Sequence, residues 1–66
     1  DRAALIARKQ EVRRQLQRAE AALAAIENAA DPKRDRRRIA KLQQQIEQLM
    51  AEEHSLRLAI DRSPQG

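Results

Sequence analysis

Five cations within six positions, Lys33, Arg34, Arg36, Arg37 and Arg38, make the stretch DPKRDRRR over residues 31–38 the densest concentration of chemistry in the chain. Guanidinium and ammonium groups at such spacing suit oxyanions, since an arginine fork matches a phosphate bidentately and a lysine meets it as a point charge. These five are the candidate phosphate-binding residues, and the partner they imply is a nucleic-acid backbone. Charge is uneven along the chain: residues 1–30 hold six basic and four acidic side chains, 31–41 hold six and two, and 42–66 hold two and four. The middle therefore carries +4 and the last third −2, within a total of +4. A charge run is ordinarily a solvated face and arginine is a good helix former. Solubility thus stands beside phosphate contact as a reading of this stretch. A second basic group, Arg8, Arg13, Arg14 and Arg18, spreads over several faces of its segment and forms no single patch. No aromatic residue is present to stack on bases, which disfavours single-strand readout and leaves contact with phosphates.

The other reactive side chains cluster at Glu52, Glu53, His54 and Ser55. If the segment is helical, adjacent residues point to different sides and cannot act together as an acid and base pair or a nucleophile and base pair. His54 then reads as a solvated histidine. One histidine without any cysteine argues against a protein-built metal site, and Gly66 is the only glycine, so no glycine-rich loop cradles a phosphate. No catalytic, cofactor-binding or metal-ligating residue is assigned, no cofactor or small-molecule substrate is expected, and enzymatic activity is not expected.

The elements that position the cations follow from hydrophobic periodicity. Leu5, Val12, Ala19 and Ile26 recur every seven residues, with Leu16 and Leu23 four places after Val12 and Ala19. In the second half Ile39, Ile46 and Ile60 alternate with Leu42, Leu49 and Leu56, and Glu53 interrupts the series. Both are heptad seams. Continuing the first register past residue 30 would bring Lys33, Arg37, Ala40 and Gln44 onto the seam, so the register breaks between the halves. Asp31-Pro32 accounts for the break, as N-cap and first position of a new helix, and Asn28 can cap the old one. The expected organisation is one helical hairpin over 1–62, with a first helix at about 2–28, a turn at about 29–31, a second helix at about 32–62, and a disordered tail at 63–66.

A short connection between amphipathic helices favours antiparallel neighbours. Pairing residues whose numbers add to 65 sets Ile26 against Ile39, Leu23 against Leu42, Ala19 against Ile46, Leu16 against Leu49 and Leu5 against Ile60. The same alignment brings Lys9 and Glu53 into adjacent layers, either as an ion pair across the seam or with both heads in water. A single long kinked helix paired with other chains is the competing architecture, and the register break with Pro32 argues against it. The fold class is therefore all-α, an antiparallel two-helix coiled-coil hairpin. In outline it resembles small plasmid-encoded RNA-binding hairpins that dimerise into four-helix bundles and the hairpin arm of seryl-tRNA synthetases, without sharing a motif with either.

Such a rod has little core. Below about 70–80 residues one core rarely supplies more than ~3–5 kcal/mol, and this chain has no disulfide or metal to add to it. Association is the remaining support, through a four-helix bundle of two copies or docking on a larger protein. A chain opening on Asp1 instead of Met fits a piece of a longer protein. Ala21, Ala22, Ala24, Ala25 and Ala29 keep the first helix slim, while Ile6, Met50 and Leu58 add apolar groups beside the seam. No stretch approaches a membrane span or signal peptide, so the membrane is not expected as a partner, and a cysteine-free chain fits the reducing cytoplasm. The functional expectation is an interaction or self-association module without catalytic activity, with nucleic-acid binding through the basic tip as the alternative.

Overall fold

In the computed structural model the chain forms two helices, α1 (Arg2–Glu27) and α2 (Arg36–Arg62), packed against each other as an antiparallel hairpin. The structure describes every residue except Ala30, Pro32, Gln65 and Gly66. The start of α1 is fixed by Asp1, whose carboxylate accepts from the Ala3 N–H at 3.1 Å while its carbonyl accepts from Leu5 at 3.1 Å. A donor that the helix itself leaves unpaired is thereby satisfied. At the other end Asn28 caps α1 in the right-handed region, with φ −88° and ψ 0°. Its N–H bonds the Ala24 carbonyl and that of Ala29 bonds Ile26, each at 3.0 Å, so the last turn tightens before the chain leaves.

The second helix begins at Arg36, four residues later than the Asp31-Pro32 signal indicates, and the connection runs over 28–35 instead of 29–31. Asp31 accepts through Oδ1 from the Arg34 N–H at 3.4 Å, but residues 33–35 form a turn, with a 3.5 Å contact from the Arg36 N–H to the Lys33 carbonyl. Regular bonding starts where Ile39 donates to the Asp35 carbonyl at 2.9 Å. Asp35, an N-cap candidate by residue type, takes the N-cap position: it is drawn inward, 8% exposed, and its carboxylate meets Arg38 at 3.7 Å. Pro32, expected at the first helical position, lies outside the described residues. Among those described, the reversal uses no positive φ, in keeping with a turn that contains no glycine.

The far end closes on itself. Ser63 is extended, with φ −75° and ψ 136°, as a residue before proline must be, and its N–H bonds the Ile60 carbonyl at 3.1 Å. The Arg2 guanidinium donates to the Ser63 carbonyl at 3.4 Å, joining the start of α1 to the end of α2 at the end of the rod opposite the turn. Ser63, placed by the sequence in a disordered tail, is thus half-buried and bonded; Gln65 and Gly66 of that tail lie outside the described residues.

Burial follows the seam. Val12, Leu16, Ala19, Ile26 and Leu49 are buried, Val12 completely, and Leu5, Leu23, Ile39, Leu42, Ile46, Leu56 and Ile60 are half-buried. Val12, Leu16 and Leu49 form one continuous cluster with Ile46 and Leu56 packed on it, midway along the rod. Four of the five buried positions are on α1, whose alanines let it sit close to its neighbour. The Cα trace measures 52 × 14 × 11 Å and its radius of gyration is 15.3 Å. A compact chain of this length would have about 11 Å. The rod exposes 5340 Å², against roughly 4,300 Å² for a compact monomer of equal mass.

Candidate functional site

Lys33 and Arg34 sit on the turn, and Arg36, Arg37 and Arg38 open the first turn of α2, so the five sequence candidates are divided between two elements. All five are exposed. Among the described residues only Arg38 meets a carboxylate, Asp35, and it does so at 3.7 Å with most of its own side chain in water. The remaining four project from the tip without an acidic partner. Position on a helix explains which of them act together: side chains three and four apart share a face. Arg37, Arg38 and Lys41 accordingly line one shallow groove with Ala40 and Gln44, and Arg38 and Lys41 continue into a second with Leu42 and Gln45. Arg36 is not on that stripe.

Lys41 is the residue that sequence reasoning missed. Its signal was present, since it stands four places after Arg37 and three after Arg38, but it lies outside the run that draws the eye. Gln44 and Gln45 extend the same stripe with neutral donors, and the next ionisable residue along α2 is Glu47. The stripe is therefore cationic at the tip end and neutral further along.

Midway along the rod the structure forms a different groove, lined by Leu16, Glu20, Met50, Glu53, His54 and Arg57. Its walls are the longer side chains that flank the seam. Glu52 and Glu53 nevertheless diverge. Glu52 faces the opposite flank, where its two carboxylate oxygens accept from Arg8, Nε at 2.7 Å and Nη2 at 3.1 Å. That hydrogen bond, and the charge beside it, raise the pKa of Arg8 further above its ordinary value. The interhelical ion pair is Arg8 with Glu52 and not Lys9 with Glu53, which are each half-buried and make no ion pair together. Glu53 instead lines the groove beside Glu20, His54 and Arg57.

On α1, Glu11 is held by Arg14 at 2.7 Å and by the Gln15 amide at 3.2 Å. These hydrogen bonds, that of Arg14 first, pull the Glu11 carboxyl below its ordinary range. Among the described residues no group of three acidic, histidine or cysteine side chains is arranged to hold a metal ion, and no helix is long and apolar enough to cross a membrane. Ile6, Met50 and Leu58 are the exposed large apolar side chains, at 37%, 57% and 42%. None of them lies at the tip. No family model, curated protein or solved structure matches the chain.

Proposed function

We propose that the hairpin is a protein–protein association module without catalytic activity, and that its first partner is a second copy, the two forming a four-helix bundle. The supporting observation is the mismatch between surface and core. Among the described residues five apolar side chains are buried, and the 5340 Å² of exposed surface exceeds the compact value by about 1,000 Å². A standard interface buries about 800 Å² per partner. Packing two rods side by side removes an excess of that size, and covers Met50, which lies beside buried Leu16. Small side chains at Ala21, Ala24 and Ala25 let another helix approach closely, all three being exposed on α1.

Sedimentation and thermal melting over a hundredfold dilution test this reading. A dimer whose melting temperature falls on dilution is expected, because mass action couples folding to assembly. A monomer whose melting temperature stays fixed rules out the second copy and transfers the association role to a different protein. Met50→Glu is expected to weaken the dimer while leaving the hairpin helical.

A further inference from the structure

We propose that the stripe Arg37, Arg38, Lys41, Gln44 and Gln45 on α2 is a docking surface for the phosphate backbone of duplex nucleic acid, bound without base specificity. The stripe is continuous, since the two grooves that define it share Arg38 and Lys41. Its three cations are exposed, and Arg37 and Lys41 have no acidic partner among the described residues. Arg37 and Arg38 lie in the first turn of α2, where cations face the positive end of the dipole and one another, so an external anion relieves two repulsions together. A local rule broken without an internal gain is where function is to be sought.

Geometry favours a duplex backbone over the other polyanions. From residue 37 to residue 45 a helix rises about 12 Å. One duplex strand presents a phosphate every ~3.4 Å along the axis while winding around it, so a straight stripe of this length reaches a few successive phosphates. The glutamine amides can donate to phosphate oxygens between the cations. A major groove about 12 Å wide admits one helix, whereas this rod already measures 14 × 11 Å between Cα atoms before its side chains are added. The two helices cannot enter that groove together, and the stripe's cations and amides suit phosphate oxygens. Single strands are disfavoured because the chain has no aromatic residue on which a base could stack. An anionic membrane surface is disfavoured because interfacial binding buries an apolar face, and Ile6, Met50 and Leu58 all lie away from the tip. The stripe is outside the seam, so the proposal stands whether or not the hairpin associates with itself.

The test is fluorescence anisotropy of the full chain with a labelled DNA duplex of about 20 base pairs, titrated between about 50 and 200 mM salt. Binding is expected at the low end, with a log–log salt slope of roughly −2.7, from three phosphate contacts at about −0.9 each. Replacing Arg37, Arg38 and Lys41 with Gln should flatten the slope by about 2.7 while keeping helicity, since Gln has nearly the helix propensity of Arg and Lys. Because Arg38 also meets Asp35, the double variant Arg37→Gln, Lys41→Gln preserves that pair and should flatten the slope by about 1.8. Replacing Arg13, Arg14 and Arg18 with Gln removes the same charge elsewhere and should leave the slope nearly unchanged. No binding at about 50 mM salt overturns the proposal. Equal flattening by both triple variants also overturns it, since net charge would then be the cause. So does tighter binding, per phosphate, to vesicles containing phosphatidylserine than to the duplex, if the stripe variant abolishes it.

Discussion

The Arg8 guanidinium grips both carboxylate oxygens of Glu52 across the two helices, with Nε to Oε2 at 2.7 Å and Nη2 to Oε1 at 3.1 Å. Paired charges beside a seam specify alignment more than they add stability, because both side chains remain partly in water, Arg8 at 50% and Glu52 at 36%. Breaking the pair with Glu52→Arg should therefore lower the melting temperature at low salt, and adding Arg8→Glu should restore it. At 1 M salt, where the screening length is about 3 Å, the two variants should melt alike. Failure of the double exchange to restore the lost stability would show that the pair does not couple the helices.

The apolar centre of the rod makes a different demand. Leu16 belongs to the buried cluster with Val12 and Leu49, whereas Leu42 is only half-buried nearer the tip. Leu16→Ala should cost about 2–3 kcal/mol, the lower part of the range for buried leucine, because a two-helix seam can partly close over the space. Since a core of this size supplies about 3–5 kcal/mol, that single change should bring the hairpin close to unfolding near room temperature. Leu42→Ala should cost less. Thermal melts that reverse the order would place the energetic centre at the tip instead of midway along the rod.

The seam was legible because heptad spacing depends on local geometry: Val12, Leu16 and Leu49 need no knowledge of the partner to be recognised as one face. The start of α2 was less legible. Asp31 and Asp35 are each plausible N-cap residues by type, and only their different surroundings separate them, Asp31 exposed and Asp35 buried. Lys9 and Glu53 drew attention as polar residues on the seam, while the bonded pair stands one position earlier on each helix at Arg8 and Glu52. Alignment fixes only which layers meet. Which side chains bond within a layer depends on rotamer and on access to water, and neither is written in the spacing. Lys41 escaped for a related reason, since a stripe at three- and four-residue intervals is discontinuous in sequence.

Acid should weaken α1 in a specific way. Hydrogen bonds from Arg14 and Gln15 hold the Glu11 carboxyl below its ordinary range, so its folded-state value lies under its unfolded one. Stability from such a group is fully present above the unfolded value, near 4.3, and is lost as pH falls through the folded value. Melting temperatures recorded from neutral pH downward should therefore fall in that acid window. Glu11→Gln should melt lower than the parent at neutral pH and converge with it in acid. A difference that does not change with pH would mean that ionisation of Glu11 contributes nothing to the helix.

The last prediction concerns which aspartate starts α2. Asp31 accepts one exposed bond, from the Arg34 N–H at 3.4 Å, whereas Asp35 is 8% exposed and meets Arg38 at 3.7 Å. Asp35 makes no side-chain cap bond, so its contribution is electrostatic: one inward carboxylate beside the positive end of the helix and within a crowd of cations. Partly buried charges in that position contribute about 1 kcal/mol, up to ~2 in favourable geometries. Asp35→Ala should therefore cost about 1 kcal/mol and speed amide exchange over residues 36–40, while Asp31→Ala should cost under about 0.5 kcal/mol, the low end for a capping residue. Asp35→Asn separates charge from shape, since it keeps the size and loses the carboxylate. If it behaves like Asp35→Ala, the charge anchors the start of the helix. If Asp31→Ala proves the more damaging, the helix begins at the Asp-Pro signal and residues 33–35 belong to its first turn.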